Sequence, residues 1–329
     1  MKDFFKRKKK LLLVVLLMVV TLTGCTVPRG QSGKTYVDAI ITLEEEQVEK
    51  QNVDFEKGSE AEKMYKDLKP TDKITIEPTG FKDAIKEGWF NGLIVYPIAQ
   101  LINLVANFSD AGVGIIIATL LIQILIFLFS IKQQVGNQRM QSLQPELQKI
   151  QAKYAGRTDD RSKMAQAQEM QALYAKYKIN PLSTILITFV QFPVILGMYQ
   201  ATMRAYSVVT GSFIGINLAK TPIDGLKEGQ IAFGIIFGLM IIFQLLSFKM
   251  PQWLEAHRKK KNHVKEKKYA QPKKEPGMMG NMNMMMYMST AMIAIFAIKW
   301  PLGMSFYWLV SSIIRVVQNL VVHKFFIKD

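Results

Sequence analysis

Several stretches of twenty or more residues carry no charge, and nothing else constrains this 329-residue chain as strongly. The hydrocarbon core of a bilayer is about 30 Å thick, and a helix needs about 20 apolar residues to cross it. A soluble domain rarely holds more than one such stretch, so the chain is expected to be an all-α integral membrane protein. Five transmembrane helices are expected, at about 112–131, 182–203, 229–248, 283–298 and 303–322. The composition agrees, with 49% hydrophobic residues and a mean hydropathy of +0.12.

The net charge of +16 is unevenly placed. Segment 132–178 holds nine Lys and Arg, segment 249–280 holds ten, and the tail after Val322 holds two. Segments 204–228 and 299–302 hold only four together. Basic loops stay in the cytoplasm, so five spans with an exported N-terminus place every basic segment, and the C-terminus, inside. Residues 88–108 are also uncharged, but Pro97 interrupts them and Gln100, Asn103 and Asn107 recur on one helical face. Counting them as a sixth span would turn every loop to the wrong side. They are therefore expected to form an interfacial amphipathic helix.

Residues 1–24 read as a signal peptide, with a basic stretch at Lys6 to Lys10 and an apolar core at Leu11 to Val20. "LTGC", Leu22 to Cys25, resembles a bacterial lipobox, in which cleavage leaves Cys25 acylated, with palmitate among the acyl chains. Cys25 is the only cysteine, which excludes an internal disulfide and thiol chemistry elsewhere. Residues 25–87 carry many charges of both signs with weak periodicity, and are expected to be an exported, lipid-anchored tether with limited structure.

The core is expected over 109–329, with a helical hairpin at 132–180 and a basic loop at 249–282, both cytoplasmic. In the hairpin, Leu143, Leu147, Ile150 and Tyr154 share one face, and Met170, Leu173 and Tyr177 mark the other arm. The basic loop suits anionic lipid headgroups or ribosomal RNA, and a charge run alone does not choose between them.

Polar groups recur inside the spans. Thr119, Gln123 and Ser130 share a face, as do Thr184, Thr188 and Gln191; Gln244 and Ser247 lie three apart. Trp308, Ser311, Ser312, Arg315, Gln318 and Asn319 form the fullest stripe. At about 1.5 Å of rise per residue, Gln123 and Arg315 fall at one depth. A central arginine costs roughly 2.5–3.5 kcal/mol even on the mildest scale, and no Asp or Glu occurs in any span to offset it. A hydrated polar recess, which Gln123 would also face, is the expected solution.

Catalytic chemistry is poorly supplied. His257, His263 and His323 are the only histidines, and no HExxH, GxSxG or intramembrane aspartate pair occurs. No enzyme activity, cofactor or metal is expected, nor recognition of a specific nucleic-acid sequence. A transporter or channel remains open, as does a lipoprotein scaffold. Eight methionines between Met278 and Met292 suit either capture of varied apolar segments or packing against lipid.

"INPLSTILITFVQFPVILGMYQA" (Ile179 to Ala201) and "WPLGMSFYWLVSSIIRVVQNLV" (Trp300 to Val321) resemble the signature spans of the YidC/Oxa membrane-protein insertases. "SLQPELQKIQAKY" resembles that family's cytoplasmic hairpin, and the lipobox resembles its Gram-positive branch. The resemblance covers residue 88 onward and is carried most specifically by Gln191-x-Pro193 and Tyr307-Trp308. It implies five helices around a hydrophilic groove open to cytoplasm and lipid. It also implies a role in inserting nascent membrane proteins, alone or beside the Sec translocon, with the ribosome and membrane lipids as further partners. Substrate contact would fall to Gln191, Tyr307 and Trp308, and the groove would be lined by Gln123, Ser311, Arg315 and Gln318. The family's groove arginine aligns with Gln123, whereas this chain carries its arginine at 315. The resemblance therefore suggests an exchange of the charge between helices.

Overall fold

The computed structural model describes residues 28–30, 32–157, 159–177, 179, 181–262 and 282–327. The signal peptide, Cys25 and most of the basic loop lie outside the described residues. The chain forms two compact units. One comprises the residues up to Leu121 with Thr188–Gly238 and Ala297–Val310. The other comprises Ile122–Ile187, Leu239–Phe296 and the residues from Ser311 onward.

The first unit corrects the expectation of limited structure before residue 88. Strands β1 (Glu46–Glu49) and β2 (Lys73–Ile76) pair antiparallel, with Val48 opposite Ile74. Ile74 and Ile76 point inward while Lys73 and Thr75 point out, as the two-residue period of a strand requires. Helix α1 (Glu60–Met64) starts at Ser59, whose side chain accepts from the Glu62 amide at 3.1 Å. With Val37, Ile40, Val48, Val53 and Ala61, the two isoleucines form a core against which Phe55, Tyr65 and Leu68 pack. A short helix, α2 (Phe81–Lys86), and a π-helical turn at Asn91–Val95 lead into α3 (Tyr96–Ala106). The strands are only four residues long and sit among dense charges, too short to give a readable period.

The polar face of α3 turns into the protein. Asn103 is 3% exposed; its Nδ2 donates to the Ile41 carbonyl at 2.7 Å, and its Oδ1 accepts from the Ser207 amide and hydroxyl. Gln100 donates to the Thr42 carbonyl at 2.9 Å. The amides expected to face headgroups or water are thus spent on the chain itself, except Asn107, which is exposed. Exposed on and beside α3 are the apolar side chains Leu93, Leu104 and Phe108.

The long helices are α4 (Ala111–Ser142), α7 (Pro181–Arg204), α10 (Ile231–Lys261), α11 (Met282–Ala297) and α12 (Leu302–Phe326). Between them lie α5 (Gln144–Lys153), α6 (Asp160–Lys176), and two short helices, α8 (Tyr206–Thr210) and α9 (Pro222–Lys227). Among the described residues, three helices are long and apolar enough to cross a membrane: Ala111–Met140, Ile231–Lys261 and Leu302–Phe326. Both α4 and α10 outrun the apolar stretches expected at 112–131 and 229–248, because the polar residues that follow, rich in Gln, Arg and Lys, are good helix formers.

Two contacts fix helix ends in the first unit. The amides of Leu302 and Gly303, orphaned at the start of α12, donate to the carbonyls of Lys220 and Leu218 at 2.7 and 2.9 Å. At the end of α7, Arg204 is 5% exposed in its side chain. Its Nε donates to the Ala39 carbonyl at 2.7 Å and its Nη2 pairs with Glu87 at 2.6 Å. The α3–α4 approach needs Gly114, since a Cβ there would stand 2.5 Å from the Ile102 carbonyl oxygen.

In the second unit, α5 and α6 pack together as a helical hairpin. Leu143, Leu147, Leu173 and Ile179 are its core, with Met140, Ile150, Met170 and Tyr174 packed around them. Tyr154 and Tyr177 lie at the rim, where their hydroxyls donate to Glu169 (2.8 Å) and Glu146 (2.9 Å). Lys153 also pairs with Glu169, and Asp159 caps α6 by accepting from the Ser162 amide at 2.8 Å.

Candidate functional site: a polar network among apolar helices

The second unit holds a set of amides, hydroxyls and one guanidinium on α4, α10 and α12. The stripe on α12 supplies Ser311, Ser312, Arg315, Gln318 and Asn319, spaced so that each returns to the same face after one or two turns. From α4, Gln123 donates through Nε2 to Ser311 Oγ at 3.2 Å, and Gln318 Nε2 donates to the Gln123 carbonyl at 3.3 Å. Gln123 is 4% exposed, so its amide is met by another helix. The partner that the amide finds at this position is the serine hydroxyl of α12.

Arg315 is half-buried. Its Nη2 donates to Gln244 Oε1 on α10 at 2.6 Å and to Ser312 Oγ at 2.9 Å. Ser312 Oγ donates in turn to Gln244 Oε1 at 2.6 Å. Further along, Asn319 Nδ2 donates to the Ser247 carbonyl at 3.3 Å, and Gln138 Nε2 donates to the Asn319 carbonyl at 3.0 Å. Chemically, the network offers hydrogen-bond donors and acceptors and one fixed positive charge. Among the described residues, no group of three or more His, Cys, Asp or Glu is placed to hold a metal ion.

Two members escaped the sequence reading as site residues. Gln244 was visible only as one of a polar pair with Ser247, and its tie to Arg315 depends on how α10 meets α12. Gln138 lay past the expected end of the first span. It follows Gln123 by fifteen residues, close to four helical turns, which returns it to the same face once the helix is known to continue.

The other three residues singled out from the sequence belong to the first unit. Gln191 on α7 is half-buried. Tyr307 and Trp308 on α12 are 1% and 5% exposed. Trp308 stacks on Trp300 with ring centroids 5.6 Å apart and planes 11° from parallel, and Trp300 meets Tyr199 at 4.3 Å. Their aromatic faces are packed inside the protein.

Outside the long helices, the hairpin carries several perturbed charges. Bonds from Lys153 and then Tyr154 hold the Glu169 carboxyl below the ordinary range, and the same Glu169 contact raises Lys153. The bond from the Ser162 amide lowers Asp159.

A model of the 60Kd inner membrane protein family matches residues 103–329. The chain is 29% identical over 231 residues to the membrane protein insertase MisCA of Bacillus subtilis, covering 70% of this chain and 77% of that one. It is 30% identical over 240 residues to the membrane protein insertase YidC of Oceanobacillus iheyensis, covering 72% and 85%. It is 32% identical over 236 residues to the membrane protein insertase YidC 1 of Streptococcus pyogenes, covering 72% and 74%.

Proposed function

The chain belongs to the 60Kd inner membrane protein family, that of the YidC/Oxa insertases, and we propose that it helps newly made proteins insert and fold in the bacterial plasma membrane. The observation that carries this reading is the hydrogen-bonded polar network, with its arginine, inside otherwise apolar helices. Such groups are expensive in lipid and mark paths for polar cargo. A client's hydrophilic segment would exchange water for these donors and acceptors, while its apolar segment partitions into lipid along helix faces such as Leu125, Leu128 and Phe129. The polar groove shortens the apolar path the hydrophilic segment must cross.

Gln123, Ser311, Arg315 and Gln318 would line that groove. Gln191, Tyr307 and Trp308 would contact the client, the two aromatics by moving out of the packing that now buries them. The positive charge would have passed from the position of Gln123 to Arg315. Support for the exchange is that Ser311, the partner of Gln123, stands one helical turn before Arg315.

In this account five spans cross the membrane, the acylated Cys25 and residues 25–87 lie outside, and the hairpin and C-terminus lie in the cytoplasm. The protein catalyses no bond-making step, works alone or beside the Sec translocon, and meets the ribosome through its two basic cytoplasmic segments. Photocrosslinkers at 123 and 308, probed with ribosome-stalled membrane-protein chains, test this. Adducts to the stalled chains are expected; their absence at every groove position would count against insertion.

A further inference from the structure

One loop of the first unit combines backbone strain with exposure. In "GSFIGIN", residues 211–217, Phe213 and Ile216 exchange backbone hydrogen bonds of 2.9 Å in both directions and close a two-residue turn. Its central residues, Ile214 and Gly215, have φ of +50° and +76°. Positive φ at both central positions is the mark of a type I′ turn, which favours Asn, Asp or Gly. A β-branched side chain is an outlier there. Among the described residues, Ile214 is the only one other than glycine with a positive φ. It is also 80% exposed. A single exposed apolar side chain is ordinary. One held where the backbone disfavours it, and left uncovered, points to a use outside the turn.

The base of this turn is fixed in place. The Phe213 ring packs against Phe306 with centroids 4.9 Å apart, and lies over Gly112, where a Cβ would stand 2.2 Å from it. Gly112 is in the first turn of α4 and Phe306 in the second turn of α12. Both helices are long and apolar enough to cross a membrane. Phe108, 87% exposed, stands just before α4 at the same end. We propose that Ile214 and Phe108 dip into the bilayer interface at this end of the helices and set the depth of α4 and α12. In the topology given above, that interface is the outer leaflet.

Two observations favour lipid over a protein partner. Residues 205–219 carry no charged side chain, although the exported segment before residue 88 is dense in them. A protein interface has a polar rim around its apolar centre and covers about 800 Å² on each partner. Two apolar tips on an uncharged loop supply neither. Apolar side chains enter the headgroup–acyl boundary without needing such an area, because each gains by leaving water.

The test places an environment-sensitive dye at Ile214→Cys in the purified full chain, in liposomes of bacterial phospholipid. Cys25, the only cysteine, is replaced by Ser so that the dye has one site. Phe108→Cys is labelled in parallel, and carries the test if Ile214→Cys does not accumulate. Lys57→Cys, at an exposed position of the charged segment, serves as the aqueous reference. The dye at 214 and at 108 is expected to emit further to the blue than at 57. Lipids brominated near the headgroup should quench it, and aqueous iodide should not. Client insertion is not read in any arm, so a failure here leaves the insertase reading standing. Water-like emission with quenching by iodide overturns the proposal. Blue emission that neither quencher reduces shows a tip covered by protein, such as a second copy of the chain, and overturns it too.

Discussion

Arg315 bonds the neutral oxygens of Gln244 and Ser312, and that bears on what its substitutions should do. Arg315→Lys keeps the charge but gives up the rigid, planar guanidinium whose Nη2 reaches Gln244 and Ser312 together. It should impair insertion of an acidic client less than Arg315→Ala, measured as the protease-protected fraction of the client. Gln123→Ala removes one interhelical bond, worth about 0.6–1 kcal/mol, and should matter less than either. Gln123→Arg with Arg315→Ser should recover much of the loss. At this scale the stripe Ser311, Ser312, Arg315, Gln318 and Asn319 could be read directly from helical spacing, and the depth match of Gln123 followed from rise per residue. The partnership of Gln244 could not, because it is a fact about packing between helices. Nor could the burial of Tyr307 and Trp308, for which only the resemblance spoke, and it spoke of contact with clients. Asn103 shows how an amide face misleads: its spacing suggests an aqueous surface, yet the side chain ties residues 41 and 207 together. Asn103→Ala leaves buried groups unpaired at about 1–3 kcal/mol each, and should expose residues 28–87 to limited proteolysis.

Among the elements, the hairpin is the most self-contained, with its own core and its own rim of tyrosine–glutamate bonds. Deleting 139–178 should therefore impair insertion while leaving the long apolar helices inserted; loss of the protein on deletion would make the hairpin structural. Asp159→Ala should speed amide exchange in the first turn of α6, since losing such a cap costs about 1 kcal/mol. The Lys153–Glu169–Tyr154 contact carries a pH sign. Glu169 is depressed, so its contribution is present above the ordinary carboxylate range and is lost as pH falls through the lowered value. Lys153 is raised, so its contribution is lost only at the alkaline end. The protection factors of amides at the α5–α6 contact should hold across neutral pH and fall in acid. The arms of the hairpin were legible because several apolar positions recur at helical spacing in each. The small sheet at 46–49 and 73–76 was not, because four-residue strands joined by a charged segment leave no repeated period.

For the whole molecule, the surface distribution of apolar side chains matters most. Phe129, Ile242 and Val317 stand exposed on helices whose buried faces carry Gln123, Gln244 and Ser311, the reverse of a soluble fold and the arrangement lipid rewards. The fold class was legible from length and charge alone. The extent of folded structure before residue 88 was not. The central claim is that this chain moves other proteins into a bilayer, and reconstitution tests it most directly. The purified full chain is placed in liposomes of bacterial phospholipid, a single-span client is synthesised beside them, and the protease-protected fraction of the client is measured. The account predicts a fraction several times that of protein-free liposomes. A fraction equal to that of protein-free liposomes, with or without flux of small solutes through the chain, would contradict it.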